Sequence, residues 1–216
     1  MNKQEFLNGQ ITLYNGDCFD VMRNLKDKEI DLDLTDPPYG IGFDHKIREK
    51  SEKKWDSSIP NDKCFLELIR VSKNQIIWGA NYFPILWKNG CRGFIFWNKD
   101  INFEKYSAGE MAFSSFNTPA KYFYYAWNGL ADGIRGRNKK EKTIHPTQKP
   151  IPLMSWCLNN YSQENDLIFD GFLGSGTTAI ACIRTKRRLI GCELDNEYFD
   201  LSCKRIEEEL RQGNLF

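Results

Sequence analysis

The sequence predicts an α/β fold with a doubly wound, mostly parallel sheet and helices on both of its faces. Two observations favour this fold class. Apolar, strand-like segments alternate with amphipathic, helix-like segments, and two of the strand-like segments lead directly into a turn through an Asp. With 216 residues, of which 41% are hydrophobic, the chain is long enough for one domain, which we place at residues 1–216.

In the first half of the chain, runs rich in Ile, Leu, Phe and Trp predict strands, and apolar residues at helical spacing predict helices. The expected strands are Ile11–Tyr14, Ile30–Thr35, Gln75–Trp78 and Gly93–Trp97, and the expected helices are Cys18–Leu25 and Asp62–Ser72. In the second helix we expect Phe65, Leu66, Ile69 and Val71 to face the core.

The second half continues the alternation and ends in a long charged helix. Its expected strands are Lys121–Trp127, Leu167–Asp170 and Leu189–Cys192, and its expected helices are Pro152–Tyr161, Gly176–Thr185 and Asn196–Gln212. Residues 41–60 and 98–145 have the least regular pattern, so we expect them to be insertions that face a substrate.

Composition disfavours several classes of protein. No segment approaches the roughly 20 apolar residues of a membrane helix, and the first ten residues lack the apolar core of a signal peptide. The seven cysteines are odd in number and form no CxxC pair, which predicts reduced thiols in a cytoplasmic protein and no metal site. The net charge is only +1, but residues 45–54 and 135–149 are strongly basic, which suits either a phosphate-binding surface or a solvated loop.

A glycine-rich turn follows the strand Leu167–Asp170. Gly171, Gly174 and Gly176 lead directly into a helix, where glycines let a ligand approach the backbone and free N–H groups favour an anionic group. Glu193 ends the next strand about 20 residues later, at the distance where such folds place a carboxylate for ribose hydroxyls.

Several ligand classes remain open for this turn. A nucleoside-triphosphate loop is disfavoured because Thr177 stands where such a loop needs Lys. Gly174-Ser175-Gly176 partly fits a dinucleotide motif, S-adenosylmethionine would also fit, and a glycine turn without a ligand is the remaining alternative.

Residues 36–39 read Asp-Pro-Pro-Tyr and follow the strand Ile30–Thr35. The two prolines fix their φ angles and remove two N–H donors, so the corner offers hydrogen-bond acceptors beside a carboxylate. Asp36 and the carbonyl of Pro37 could each accept one N–H of an amine, with Tyr39 stacked on the attached ring. A plain proline turn is the simpler alternative.

These motifs together resemble those of the amino-group DNA methyltransferases, which modify adenine N6 or cytosine N4. Asp36-Pro37-Pro38-Tyr39 resembles the catalytic motif, and the segment FDGFLGSGTT at 169–178 resembles the cofactor motif. Three further segments are similar to family motifs: Asn15-Gly16-Asp17, the HPTQKP at 145–150, and the LIGCELDNEYFDLSCKRI at 189–206. The catalytic motif comes first, as in the beta group, and the resemblance covers about residues 10–40 and 143–210.

The resemblance implies a Rossmann-like methyltransferase that takes its methyl group from S-adenosylmethionine and acts on a flipped-out base of double-stranded DNA. The DPPY form resembles adenine-N6 enzymes more than cytosine-N4 enzymes. The implied catalytic residues are Asp36, Pro37, Pro38 and Tyr39. The implied cofactor-binding residues are Asp17, Lys149, Asp170, Phe172, Gly174, Ser175, Gly176, Thr177, Thr178 and Glu193. Gly171 departs from the family pattern, which usually has proline there.

The remaining expectations concern partners. The predicted DNA-binding residues are Lys46, Arg48, Lys53, Lys54, Arg135, Arg137, Lys139 and Lys140. A homodimer would enlarge the limited DNA-binding surface of so small a chain. In residues 212–216, the spacing of Gln212, Leu215 and Phe216 resembles that of peptides that dock on bacterial sliding clamps. A frayed C-terminal tail is the alternative.

Overall fold

The computed structural model describes residues 1–42, 56–100, 107–127 and 148–213. The strands are β1 (Asn2–Phe6), β2 (Ile11–Asn15), β3 (Ile30–Thr35), β4 (Ser72–Trp78), β5 (Phe94–Asn98), β6 (Gly109–Ser114), β7 (Lys121–Tyr124), β8 (Leu167–Asp170) and β9 (Arg188–Glu193). The helices are α1 (Cys18–Met22), α2 (Asp62–Val71), α3 (Ile151–Tyr161), α4 (Thr177–Thr185) and α5 (Asn196–Gly213). Short 3₁₀ turns at Ala80–Tyr82 and Pro84–Trp87 follow β4. Within these ranges, none of the helices is long and apolar enough to cross a membrane.

In the described residues the strands form one sheet in the order β1-β2-β9-β8-β3-β4-β6-β5-β7. The five strands from β2 to β4 in this order pair in parallel. Antiparallel pairing begins on either side of them, where β1 joins β2 and β6 joins β4 and β5. The predicted α/β fold with a mostly parallel sheet is confirmed.

Helices cover both faces of the sheet. One face packs on α3, α4 and α5 through a core that includes Leu32, Leu153 and Ile180. The other face packs on α1 and α2 through a core that includes Met22 and Phe65. A sheet that is buried on both faces explains the nearly continuous apolar runs of its central strands.

The prediction for the inward face of α2 is partly wrong. Leu66 is 53% exposed, whereas Phe65, Leu68 and Val71 are buried together with Cys64. These buried positions are spaced by three or four residues, which is the period of one helix face, and Leu66 lies off that face.

Two strands were not expected, and several element ends differ from the sequence-based prediction: β4 begins at Ser72 rather than Gln75, and β7 ends at Tyr124 rather than Trp127. β1 was not expected, because four of its five residues are exposed at the outer edge of the sheet and the segment lacks an apolar pattern. β6 was also not expected, although it lies between β4 and β5 and buries Ala112 and Phe113. α1 ends at Met22 rather than Leu25. Part of the irregular stretch 98–145 therefore belongs to the sheet.

The parallel strands bring their carboxyl ends to one edge. From β3 the chain continues to β4 in one direction across the sheet, and from β8 it continues to β9 in the opposite direction. The winding direction therefore changes between the neighbouring strands β3 and β8. Ligands of doubly wound folds bind at such a switch point. The Thr35 hydroxyl donates to Asp170 Oδ1 at 2.8 Å and joins the two strands there.

Candidate active site

A cavity of about 1270 Å³ lies at the carboxyl edge of the sheet. Both sequence motifs line it, with Asp36 to Tyr39 on one side and the glycine turn from Gly171 to Ser175 on the other. Asp17 and Glu193, which follow β2 and end β9, lie along the same wall as the glycine turn. The parallel topology therefore brings together residues that are more than 130 positions apart in the chain.

The turn that contains Pro37 and Pro38 is fixed by contacts from two other segments. The buried carboxylate of Asp56 accepts the backbone N–H of Tyr39 at 2.8 Å and that of Gly40 at 2.9 Å. Gly79 lies against the ring of Tyr39 so closely that a Cβ there would be 2.0 Å from Tyr39 Cε1. Gly79 also has a φ of +69°, which favours glycine.

The ring of Tyr39 stacks on Tyr82, with centroids 4.9 Å apart and an angle of 17° between the planes. Its hydroxyl donates to Asp36 Oδ1 at 2.7 Å. The stacking partner seen here is therefore a protein ring, and stacking of Tyr39 on a base stays a prediction.

Asp36 is part of a cluster of four charged side chains. Lys149 Nζ donates to Asp36 Oδ2 at 2.5 Å and to the Tyr39 hydroxyl at 3.1 Å. The same ammonium lies 3.0 Å from Glu110 Oε2, and the other oxygen of Glu110 accepts from Lys99 Nζ. The side chain of Lys149 is only 5% exposed. The Tyr39 hydroxyl therefore contacts two carboxylates and the Lys149 ammonium, while Lys99 reaches the cluster through Glu110.

Burial and pairing shift the pKa values in this cluster in different directions. Burial raises the pKa of Asp36, although Lys149 opposes this. Burial also opposes the charge on Glu110, but Lys149 and Lys99 outweigh it and lower the pKa of Glu110 to about 2. The pKa of Lys149 is raised, because Asp36 and Glu110 outweigh the effect of its burial. Glu110 and Lys149 therefore carry stable charges near neutral pH.

The glycine turn is fixed by Glu193. Gly174 has a φ of +55°, and its N–H donates to Glu193 Oε2 at 2.7 Å. The other oxygen of Glu193 accepts the N–H of Asp195 at 2.8 Å. Burial raises the pKa of Glu193 to about 7. A Cβ at Gly174 would have no atom within 4 Å, so the backbone here is open to a ligand.

The other polar residues of the turn contact the protein. Asp170 accepts from Thr35, Thr178 and the backbone of Phe172, and burial raises the pKa of Asp170 to about 6. The Ser175 hydroxyl donates to Gln148 at 3.2 Å, and Arg205 Nη1 donates to the Thr177 hydroxyl at 3.1 Å. Arg205 and Gln148 thus order the turn around its buried hydroxyls, which supports the shape of the cavity.

Two glycines of the turn are close to neighbouring elements. A Cβ at Gly176 would lie 3.0 Å from Ser202 Cβ, so this glycine lets α5 pack on the start of α4. A Cβ at Gly171 would lie 3.3 Å from Cys18 Cβ. Gly171, which stands where the family usually has proline, is therefore in tight contact with the start of α1.

The charge of the cavity distinguishes between the ligand classes left open by the sequence. Among the described residues, the lining includes seven carboxylates and two lysines, and both lysines are in the cluster around Asp36. Such a lining opposes a ligand with several phosphates. It suits S-adenosylmethionine, which has a sulfonium, an ammonium and ribose hydroxyls. Asp17 and Glu193 could accept from its hydroxyl and amine groups beside Gly174.

The structure brings most of the predicted site residues to this cavity. Asp17, Lys149, Glu193 and the residues of both motifs line it, except for the buried Phe169 and for Gly176, which packs against Ser202. Lys149, assigned to the cofactor by resemblance, contacts Asp36 rather than the glycine turn. The predicted DNA-binding residues Lys46, Arg48, Lys53, Lys54, Arg135, Arg137, Lys139 and Lys140 lie outside the described residues, as do Leu215 and Phe216 of the predicted clamp-docking tail.

Sequence reasoning missed several residues of the site, including Tyr82, which stacks on Tyr39, and four others near the Asp36 corner. Gly79 directly follows a predicted strand, and Glu110 is a lone acid in an apolar segment, so both left a signal in the sequence. Asp56 and Lys99 left none, because their roles depend on contacts with distant residues.

Comparison with known proteins identifies a family. The family N6_N4_Mtase, described as DNA methylase, matches residues 77–204, which is more than half of the chain. The type II methyltransferase M2.MboI of Moraxella bovis is 29% identical, over 91% of this chain and 87% of that protein. The DNA adenine methyltransferase YhdJ of Escherichia coli is 25% identical, over 94% of this chain and 84% of that protein.

Solved structures share the fold. The complex of M1.HpyAVI with SAM has a TM-score of 0.60 and 24% identity, over 91% of this chain and 98% of that chain. The cytosine-N4-specific PvuII DNA methyltransferase has a TM-score of 0.62 and 16% identity, over 90% of this chain and 86% of that chain. At these identities the two structures show a common fold.

Proposed function

The chain belongs to the N6_N4_Mtase family of DNA methylases, and from this premise we propose that it transfers a methyl group from S-adenosylmethionine to the N6 amine of adenine in DNA. The observation that carries the proposal is the cavity shared by the Asp36 corner and the glycine turn. One end offers acceptors for an amine, and the other offers an acidic wall with an open backbone for the methyl donor. A direct transfer needs both groups in one enclosed space.

The corner can hold and orient an amine. Asp36 already accepts from Tyr39 and Lys149, and a carboxylate has about four acceptor positions, so it can also accept an N–H. The Pro37 carbonyl can accept the second N–H. An amine held in this way turns its nitrogen lone pair away from the two acceptors, toward the glycine turn. The base must leave the helix to reach this depth.

The other end of the cavity can bind the methyl donor. S-adenosylmethionine supplies a methyl group on a positively charged sulfur. Glu193 and Asp17 accept from its hydroxyl or amine groups, and Gly174 lets it approach the backbone. Phe172 adds an apolar wall, while Ser175, Thr177, Thr178 and Asp170 stabilise the turn from below. The acidic lining stabilises the positive charge of the ligand.

Adenine is proposed as the target on two grounds. The DPPY form resembles adenine-N6 enzymes, and the related YhdJ is named as a DNA adenine methyltransferase. Cytosine N4 is the alternative, because its exocyclic amine would present the same N–H groups to Asp36 and Pro37. An inactive DNA-binding module is a more distant alternative.

DNA contacts, dimer formation and clamp docking remain proposals about the rest of the chain. We propose that the basic residues of 45–54 and 135–149 contact phosphates, as a near-neutral protein with local basic segments would. Gln212, at the exposed end of α5, would lead into the clamp-docking residues Leu215 and Phe216. Loss of clamp binding on removal of residues 212–216 is the expected result, and unchanged binding would argue against docking.

Nucleoside mass spectrometry tests the reaction. The protein is incubated with S-adenosylmethionine and unmethylated DNA, beside Asp36→Ala and the exposed matched control Asp200→Ala. We expect N6-methyladenine from the wild type and the control, and none from Asp36→Ala, which should still bind the cofactor. Detection of N4-methylcytosine instead would support the same mechanism with cytosine as the target base. Absence of any methylated base from the wild type would contradict the proposed function.

A further inference from the structure

Glu110 is an acidic side chain in the site that no sequence motif marks. It lies on β6, and its side chain is 18% exposed. Its Oε2 atom is 3.0 Å from Lys149 Nζ and 3.3 Å from the Tyr39 hydroxyl, and its Oε1 atom accepts from Lys99. Glu110 therefore contacts two residues that also hold Asp36, without contacting Asp36 through a hydrogen bond of its own.

Glu110 balances the charge of the corner. Asp36 and Glu110 carry two negative charges, and Lys99 and Lys149 carry two positive charges. Without Glu110, the Lys149 ammonium would turn fully to Asp36, and the other three members of the cluster, Asp36, Lys99 and Lys149, would carry a net charge of +1. A fully paired Asp36 is a weaker acceptor for the N–H of a substrate amine.

The chemistry of the transfer makes this charge important. The amine nitrogen uses its lone pair to form the new N–C bond, the C–S bonding pair stays on sulfur, and an amine proton then passes to Asp36 and to solvent. Positive charge develops on the amine until that proton leaves. An uncompensated ammonium a few ångströms away raises the energy of this state in a buried, low-dielectric site.

We propose that Glu110 is a positioning residue for methyl transfer, which holds the Lys149 ammonium between two carboxylates so that Asp36 stays available to the substrate amine. The inference rests on the proposed function, because it assigns a role within that reaction. Lys99 has a supporting role, since it contacts the oxygen of Glu110 that faces away from Lys149.

Three variants test the role of Glu110: Glu110→Gln, Lys99→Gln and the double variant. The matched control is Glu208→Gln on the exposed side of α5. Single-turnover methylation rates are measured from acid to alkaline pH, together with S-adenosylmethionine affinity and the circular dichroism spectrum. Glu110→Gln should lower the rate on the order of 100-fold, as expected for a misplaced reacting group.

The pH profiles separate a charge effect from a packing effect. Burial raises the pKa of Asp36 and Glu110 raises it further, so Glu110→Gln should move the acid limb of the rate profile to lower pH. Lys99→Gln removes the positive charge paired with Glu110, so the charge of Glu110 should raise the pKa of Asp36 further and move the limb to higher pH. The double variant restores a neutral corner and should regain at least roughly tenfold of the rate lost in Glu110→Gln.

Three outcomes would overturn the inference while the wild type is active: an unchanged rate in Glu110→Gln, acid limbs that do not move, or a double variant no faster than Glu110→Gln. If Glu110→Gln fails to fold, the pH profile of Lys99→Gln tests the inference instead. An acid limb at the wild-type pH in that variant would then overturn the inference. A wild type that methylates no base overturns the proposed function and this inference together.

Discussion

At the scale of single residues, the position of Asp36 depends on side chains from distant parts of the chain. Tyr39 and Lys149 donate to its two oxygens, and Lys149 comes from the segment before α3, 113 positions away. Asp56 fixes the backbone after the prolines by accepting two N–H groups. The prolines restrict the turn, but these hydrogen bonds determine where its carboxylate lies.

The first prediction at this scale concerns Glu193. Glu193→Ala should weaken S-adenosylmethionine binding by roughly tenfold to a hundredfold, because it removes a ligand acceptor and the partner of the Gly174 N–H. The pKa of Glu193 is raised to about 7, so wild-type affinity should increase from pH 6 to pH 8 as the carboxylate ionises. Isothermal titration calorimetry across this range measures both effects.

Glu193→Gln is the control for charge in that experiment. It keeps the shape of the side chain and one carbonyl acceptor, so its affinity should be intermediate and nearly independent of pH over the same range. Wild-type affinity in Glu193→Ala would refute the assignment of Glu193 to the cofactor site.

The second prediction concerns Gly79. Gly79→Ala places a Cβ 2.0 Å from the Tyr39 ring, so the ring must move and its hydroxyl should leave Asp36. We expect the methylation rate to fall on the order of 100-fold. Gly90→Ala is the matched control, because Gly90 has a φ of +65° but nothing within 4 Å of its Cβ position. Both variants store backbone strain of about 1 kcal/mol, measurable by urea unfolding. Equal methylation rates in the two variants would show that the Tyr39 contact is unimportant.

At the scale of elements, β3 contains a polar residue that opposes folding. Asp33 is fully buried, and neither of its carboxylate oxygens has a hydrogen-bond partner among the described residues. Burial raises the pKa of Asp33 well above its usual range, and Asp170 and Cys18 add to the effect. Asp31, on the same strand, instead accepts from Lys73 and the backbone of Leu167.

The prediction for β3 follows from the sign of these shifts. The folded pKa of Asp33 exceeds the unfolded value of about 3.9, so its contribution makes the protein less stable as pH rises above about 4. Asp33→Asn removes this proton linkage and should raise the free energy of unfolding at pH 7 by at least about 1 kcal/mol, with little effect at pH 4. Urea unfolding at the two pH values measures the difference.

Asp31→Asn is the matched variant on the same strand. Burial opposes the charge of Asp31, but Lys73 and the Leu167 N–H outweigh it and lower its pKa. The stability that the Asp31 carboxylate contributes is present above its unfolded pKa and is lost as pH falls toward its folded pKa. Asp31→Asn should therefore destabilise the protein at pH 7. A stabilising effect of Asp31→Asn, or a loss of stability in Asp33→Asn at pH 7, would contradict this account.

At the scale of the whole molecule, charge is unevenly distributed. The net charge is +1, the cavity lining is acidic, and the segments 45–54 and 135–149 are basic. Acidic groups suit a cationic methyl donor, and basic segments suit a polyanion. The proposed reaction needs both ligands at once, which explains why one sign of charge does not dominate the protein.

The molecular-scale prediction concerns salt dependence. Replacing Arg135, Arg137, Lys139 and Lys140 with Gln should weaken DNA binding and reduce the slope of log K against log salt by about 0.9 for each lost phosphate contact. Cofactor affinity should stay at the wild-type value. The control replaces four exposed lysines outside the cavity lining with Gln: Lys26, Lys88, Lys186 and Lys204. Equal slopes in both variants would contradict a specific role for the 135–140 segment.

The amino-acid sequence by itself determined the fold class, the central strands and the two motifs. Their signals are local: buried parallel strands are short apolar runs, and the corner and the glycine turn need special backbone conformations that proline and glycine provide. The edge strand β1 and the inserted strand β6 could not be predicted in this way, because neither segment has a clear apolar alternation and β1 is almost entirely exposed, although each pairs with the strand next to it in the chain.

Only the tertiary structure decided which groups surround Asp36. Lys149 belongs to a motif in the sequence, yet its contact with Asp36 and Glu110 arises because the carboxyl end of β3, strand β6 and the segment before α3 meet at one cavity. Glu110, Lys99, Asp56 and Gly79 act through contacts with residues that are 11 to 71 positions away in the chain. A local sequence pattern indicates the backbone conformation of its own segment. Charge balance and close packing depend instead on which other segments the sheet brings next to it.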